Sequence, residues 1–176
     1  LWQRLEDSQT RLLTIGDGDY PPLLRQRLGR RAPPVLFAKG NLSLLSKEGV
    51  GFCGSRQAST KGLETAFDIA DQLAKKDLSV ISGYAAGVDL TTHQAALAAH
   101  GATVVVLAEG ISHFRVKKEI KDYWDWDRVI VVSEFPPGLP WSVPNAMQRN
   151  VTICGLSKAL IVIEAGATGG TLEAGK

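Results

Sequence analysis

Val50-Gly51-Phe52-Cys53-Gly54-Ser55-Arg56 is the stretch on which the fold turns: a short apolar run that ends in glycine and passes at once into polar residues. A strand that stops at a glycine and opens a helix leaves bare backbone N–H groups pointing beyond the strand end, where an anion can settle. The pattern occurs twice more. Leu78-Ser79-Val80-Ile81 runs into Ser82-Gly83-Tyr84-Ala85-Ala86-Gly87-Val88-Asp89, and Ala159-Leu160-Ile161-Val162-Ile163 runs towards Gly166-Ala167-Thr168-Gly169-Gly170-Thr171. Three such turns at one edge of a parallel sheet would make a single crevice for phosphate. The expected ligand is a nucleotide or a nucleic-acid backbone.

The segments around these turns alternate. After strand 50–54 comes a helical stretch over 60–76, in which Leu63, Ala66, Phe67, Ala70, Leu73 and Ala74 recur on one face. Strand 78–82 precedes an Ala-rich helix over 90–99, ended by Gly101. Strand 102–108 is nearly all apolar, as expected of a strand covered on both faces. Residues 117–124 read as a short helix, with Trp124 and Trp126 as packing residues. Residues 128–133 read as a strand, 134–145 as a proline-rich loop, 147–156 as a helix and 159–163 as a strand. Such alternation means an α/β domain: a doubly wound, mainly parallel sheet with helices on both faces.

Residues 1–45 differ. Asp17-Gly18-Asp19-Tyr20-Pro21-Pro22 is a turn that releases a short helix over 23–28. Pro33-Pro34 leads into strand 35–38, and 42–45 forms one helical turn. This reads as a lead-in segment packing on the core, with residues 46–176 as the α/β domain. The chain opens on Leu1 and stops at Lys176 as a helix begins, so both ends are expected to be cut from a longer protein.

Composition excludes more than it selects. The chain has 176 residues, 44% hydrophobic and 22% charged, with a net charge of +2, which suits one compact globular domain. Near-neutral charge is no argument for nucleic acid by itself. The basic groups Arg25, Arg27, Arg30 and Arg31, and Lys117, Lys118 and Lys121, read as solvated surface. Cys53 and Cys154 lack CxxC spacing and read as small reduced residues, with no disulfide or zinc site. No apolar run approaches the roughly 20 residues of a membrane span and no signal peptide is present, so the expected compartment is the cytoplasm. No metal or cofactor is expected.

Each candidate residue carries two readings. Gly54 allows close backbone approach, the Ser55 hydroxyl can donate to phosphate and the Arg56 guanidinium can clamp it; the plainer reading is a tight turn with a surface arginine. Ser82, Gly83 and Gly87 let the backbone fold beneath a ligand. Asp89 reads as a helix cap, and His93, one turn on, as either an acid–base or metal partner or a packing histidine. Arg149 and Asn150 can reach phosphate or a base edge, or simply lie at a helix start. Glu164 ends a buried strand, either accepting backbone N–H bonds or contacting a ribose. Gly169, Gly170 and Thr171 open a helix suited to an anion, and Glu173 in its first turn suits the helix dipole.

In this order the motifs resemble the Rossmann-like core of the DNA-processing protein A family (DprA, also called Smf). The matching strings are Tyr20-Pro21-Pro22-Leu23-Leu24, Pro34-Val35-Leu36-Phe37-Ala38-Lys39-Gly40-Asn41, Gly54-Ser55-Arg56, Ser82 to Asp89 with His93, Ser133-Glu134-Phe135-Pro136-Pro137-Gly138, Arg149-Asn150 and Leu156-Ser157-Lys158-Ala159. The resemblance implies a single-stranded DNA-binding protein that loads RecA during natural transformation and recombination, dimerises, and has no established catalysis. It implies phosphates held by Gly54, Ser55 and Arg56, with Ser82 and Gly83 beside them. The chain departs from the family at Glu109-Gly110-Ile111-Ser112-His113-Phe114, which lacks a Tyr-Pro, at Val151 where an arginine is usual, and at the last glycine turn. That turn, Thr168-Gly169-Gly170-Thr171-Leu172-Glu173, partly resembles the signature of LOG-type nucleoside-monophosphate phosphoribohydrolases. A phosphoribohydrolase, or a nucleotide-sensing domain of the same superfamily, is therefore the alternative reading.

Overall fold

The apolar runs become strands because their alternate side chains fill the two faces of one sheet. The computed structural model describes residues 9–164 and contains a seven-stranded sheet of order β1-β2-β6-β5-β4-β3-β7. The strands are β1 (Arg11–Thr14), β2 (Val35–Gly40), β3 (Gly49–Gly54), β4 (Ser79–Ser82), β5 (Thr103–Val106), β6 (Val129–Ser133) and β7 (Ala159–Ile163). The helices are α1 (Pro22–Leu28), α2 (Thr60–Lys75), α3 (Val88–Ala98) and α4 (Val143–Leu156). β3 to β7 pair in parallel, and β1 and β2 add antiparallel strands to the β6 edge. This is a Rossmann-like α/β sheet.

The alternation is visible strand by strand. Cys53, Ile81, Val104, Val106, Ile130 and Val132 face one side, where Leu24 of α1 and Ile153 and Leu156 of α4 cover them. Phe52 and Val80 face the other side, under Ala66 and Ala70 of α2 and Ala95 and Ala96 of α3. Val105, Val129 and Val131 continue that face under Leu97, Ile111 and Phe114. Helices thus lie on both faces. β4, β5 and β6 are added in one direction from β3, and β7 returns to the far side of β3 through α4. The reversal occurs at β3, so Gly54-Ser55-Arg56 leaves the sheet at the switch point, where ligands bind in open sheets of this kind.

The elements differ from expectation in a few places. β1 has only Leu13 buried, too little pattern to read as a strand. α4 begins at Val143, before the expected Met147, because Pro144 lies in its first turn, where a missing N–H costs nothing, and the Ser142 side chain caps it by accepting from Asn145 N–H. The expected helix at 117–124 is a 3₁₀ segment, Lys118–Tyr123. In α2 the buried stripe is Gly62, Ala66, Ala70 and Ala74, while Phe67 is exposed. Small residues there let α3 lie close. Among the described residues no helix is long and apolar enough to cross a membrane.

Phe52 is fully buried between the sheet and the α2–α3 pair. Phe52→Ala is expected to lower unfolding free energy by about 3–5 kcal/mol. Urea denaturation with an unchanged m-value checks it.

Candidate functional site

Two of the three glycine turns meet at the carboxyl edge of the sheet. Val88 N–H donates to Ser55 O at 3.2 Å, and Ser55 N–H donates to Ile163 O at 3.2 Å, so the turn after β3 is tied to the start of α3 and to the end of β7. Side chains are excluded from these junctions. A methyl group at Gly54 would strike Val88, and Gly87, at φ +77°, would strike the carbonyls of Ser55 and Arg56. Gly169, Gly170, Thr171 and Glu173 of the third turn lie outside the described residues.

Beneath the turns is a buried polar knot. Arg149 Nη1–H donates to Val106 O at 2.9 Å and lies 3.8 Å from Asp89 Oδ2. The guanidinium crosses Gly83 where any Cβ would sit, which requires glycine there. Asp89 does not cap its helix in the expected way. Its carboxylate reaches back, accepting from Ala85 N–H at 3.3 Å and lying 3.1 Å from Ser82 Oγ, while Gly87 takes the cap position. Ser82 is fully buried, its hydroxyl also 3.0 Å from Phe52 O. Arg149 Nε is buried and unpartnered among the described residues.

His93 belongs to the same knot. It is fully buried, with Nε2 2.6 Å from Gly83 O and Nδ1 2.6 Å from Thr103 Oγ1. Desolvation pushes its pKa down to about 4 against the support of its Gly83 hydrogen bond, so the ring is neutral at pH 7. A carbonyl oxygen only accepts, so Nε2–H donates to Gly83 O, while Nδ1 rests against the Thr103 hydroxyl, which also lies 2.9 Å from Val80 O. Both nitrogens are used, and the packing reading fits His93. Glu164 is also committed. It accepts from Ser59 N–H at 2.7 Å and from the Ser59 hydroxyl, and these bonds lower its pKa. It therefore covers the amino end of α2.

Above the knot lies a cleft of about 330 Å³, walled by Arg56, Tyr84, Leu107, Glu109, Trp141 and Arg149 with small residues between them. That size suits a small ligand or one residue of a polymer. Arg56 stacks on Trp141 at 4.9 Å from the ring centroid, and no hydrogen bond or ion pair among the described residues engages its guanidinium. Ser55 Oγ accepts from Gln57 N–H at 3.1 Å, which holds the turn open. Lys117 Nζ donates to Tyr84 O at 2.6 Å and sits over the Tyr84 ring, and burial lowers its pKa. Asn150 is half-buried and is not among the residues that line the cleft. Sequence reasoning did not find Trp141 or Glu109 as cleft residues. The absence of Tyr-Pro after Glu109 was the one available signal.

The family model described as DNA recombination-mediator protein A matches residues 11–175. DNA processing protein DprA of Streptococcus pneumoniae is 37% identical over 143 residues, covering 80% of this chain and 50% of that protein. Its X-ray structure superposes with a TM-score of 0.79 at 30% identity, covering 100% of this chain and 65% of that one. A Helicobacter pylori DNA processing protein A structure, described as showing a unique single-stranded DNA binding mode, superposes with a TM-score of 0.76 at 20% identity. It covers 94% of this chain and 74% of that one. The chain spans about half the length of the curated relatives it matches.

The neutral His93 carries a pH signature. Its folded pKa lies below the ordinary value of 6.5, so its contribution is present above pH 6.5 and is lost as pH falls through about 4. The expected loss is on the order of 3 kcal/mol. Denaturation measured from pH 7 to pH 4 checks it: His93→Gln is less stable at pH 7 and has a flatter profile over this window.

Proposed function

Because the chain belongs to the DNA recombination-mediator protein A family, we propose that it binds single-stranded DNA by its phosphates in the cleft at the switch point. The observation that carries the reading is Arg56. Its unengaged guanidinium leaves the sheet at the switch point and rests on an exposed indole at the mouth of a cleft of nucleotide size. A guanidinium clamps a phosphate through two parallel N–H bonds. The site residues proposed are Gly54, Ser55, Arg56, Gly87 and Arg149 near the cleft, with Ser82 and Gly83 shaping its floor; Asn150 joins them as an expectation from sequence. Gly169, Gly170 and Thr171 join them as expectations from sequence.

RecA loading, homodimer formation, a cytoplasmic setting and a role in DNA uptake and recombination belong to the same proposal. They rest on the family. The curated relatives extend over about twice the length matched here, so these roles are tested on the longer protein.

Arg56→Ala is expected to weaken binding to a fluorescent single-stranded oligonucleotide by about 1.5–3 kcal/mol, the loss of a charge-assisted hydrogen bond. Unchanged affinity would remove Arg56 from the site. Binding is expected to weaken with salt at a log–log slope of about −0.7 per phosphate neutralised. A flat salt response contradicts a phosphate-led interface.

The same reading makes the domain a binder without catalysis. Glu164 is held by Ser59 and His93 uses both ring nitrogens, so neither presents a free acid or base. No free base is expected from a nucleoside monophosphate incubated with the protein. Base release abolished by Glu173→Gln or Glu164→Gln would favour the phosphoribohydrolase reading instead.

A further inference from the structure

We propose that the cleft also reads one base: the Glu109 carboxylate accepts hydrogen bonds from the N1–H and N2–H edge of a guanine stacked against Trp141. The inference rests on the reading that a DNA strand occupies this cleft. A pocket built for phosphate alone needs donors and positive charge. A carboxylate on its wall repels phosphate and accepts hydrogen bonds only. Glu109 is on that wall, half-buried, and no hydrogen bond or ion pair among the described residues engages its carboxylate.

The two loops that carry Glu109 and Trp141 are stitched together. Gly110 N–H donates to Leu139 O at 2.8 Å and Ser112 N–H donates to Pro137 O at 3.0 Å. The Ser133 hydroxyl donates to Glu109 O at 2.7 Å. A methyl group at Gly110 would run into the carbonyls of Pro136 and Pro137, so glycine is what lets the loops touch. The carboxylate and the indole are therefore presented to one cleft by a rigid double loop, with Arg56 against the ring.

The chemistry selects among bases. Guanine offers two adjacent N–H donors on its Watson–Crick edge, matching the two carboxylate oxygens. Thymine offers one N–H between two carbonyl oxygens, which face the carboxylate unfavourably. Adenine and cytosine offer an amino group beside a ring acceptor. Unpaired bases expose these edges and stack on aromatic rings. Trp141 is 43% exposed, leaving ring surface for a base beyond what Arg56 covers.

Fluorescence anisotropy with an all-thymine strand and the same strand carrying one central guanine tests the proposal. The guanine strand is expected to bind about ten-fold tighter. Glu109→Gln should bring the two within about two-fold, without weakening thymine-strand binding, since a negative charge has left the cleft. Trp141→Ala should weaken both strands about ten-fold. Equal affinities in the unaltered protein, or a preference that survives Glu109→Gln, would overturn the inference while leaving strand binding intact. If neither strand binds, the strand-binding reading fails and the base reading with it. Guanosine monophosphate alone should bind at least about ten-fold more weakly than the guanine strand; equal affinity would assign the cleft to a free nucleotide and overturn the inference.

Discussion

The buried contact between Arg149 and Asp89 is the constraint on which the site depends. Removing two charges from water costs several kcal/mol, and a pair survives only when further hydrogen bonds complete it. Here Val106 O accepts from the arginine, whose Nε stays unpartnered among the described residues, and Ala85 N–H and the Ser82 hydroxyl support the aspartate. The partners come from α4, β5, the β4 turn and α3, so one polar knot ties four elements at the carboxyl edge of the sheet. Its geometry requires Gly83, because the guanidinium occupies the space of a side chain there. His93 holds the other side of the same residue through Gly83 O.

From this knot follows the shape of the cleft. With the β4 turn pinned, Gly87 adopts its positive φ and Val88 N–H reaches Ser55 O, which fixes the turn after β3. Among the described residues that line the cleft, Arg56 is then the cation placed to meet a ligand, while Arg149 supports the floor. This division separates two arginines that look alike in sequence. The amino end of α2 is covered by Glu164, so this helix end contributes less to anion binding than the glycine pattern implied. What remains for a ligand is a guanidinium, an indole and a carboxylate around a space of one nucleotide.

The parallel core was legible because β3, β4, β5 and β6 are buried on both faces and centre on short apolar runs, with small polar residues at the ends of β4, β5 and β6. β1 was not, since four residues with one buried side chain leave no period to read. The start of α4 was misplaced because Pro144 looked like part of a loop, although proline is at home in a first helical turn. At the site, Gly54-Ser55-Arg56 and the Ser82–Asp89 turn were legible from their glycines. Trp141 was not, because it meets Arg56 across a long stretch of chain that no local pattern encodes. Asp89 was read as a cap from its place at a helix start. Only the fold reveals that its partner is Arg149.

The central claim, that the switch-point cleft receives the strand, is tested most directly by amide chemical-shift mapping with a short single-stranded oligonucleotide. The account expects the shifts to concentrate at Ser55, Arg56, Ala85, Ala86 and the Trp141 indole, and to saturate together. The surface around Lys39, Asn41 and Trp126, which forms a separate pocket, should stay unmoved. Shifts confined to that second pocket, with Arg56 and Trp141 unchanged, would contradict the account.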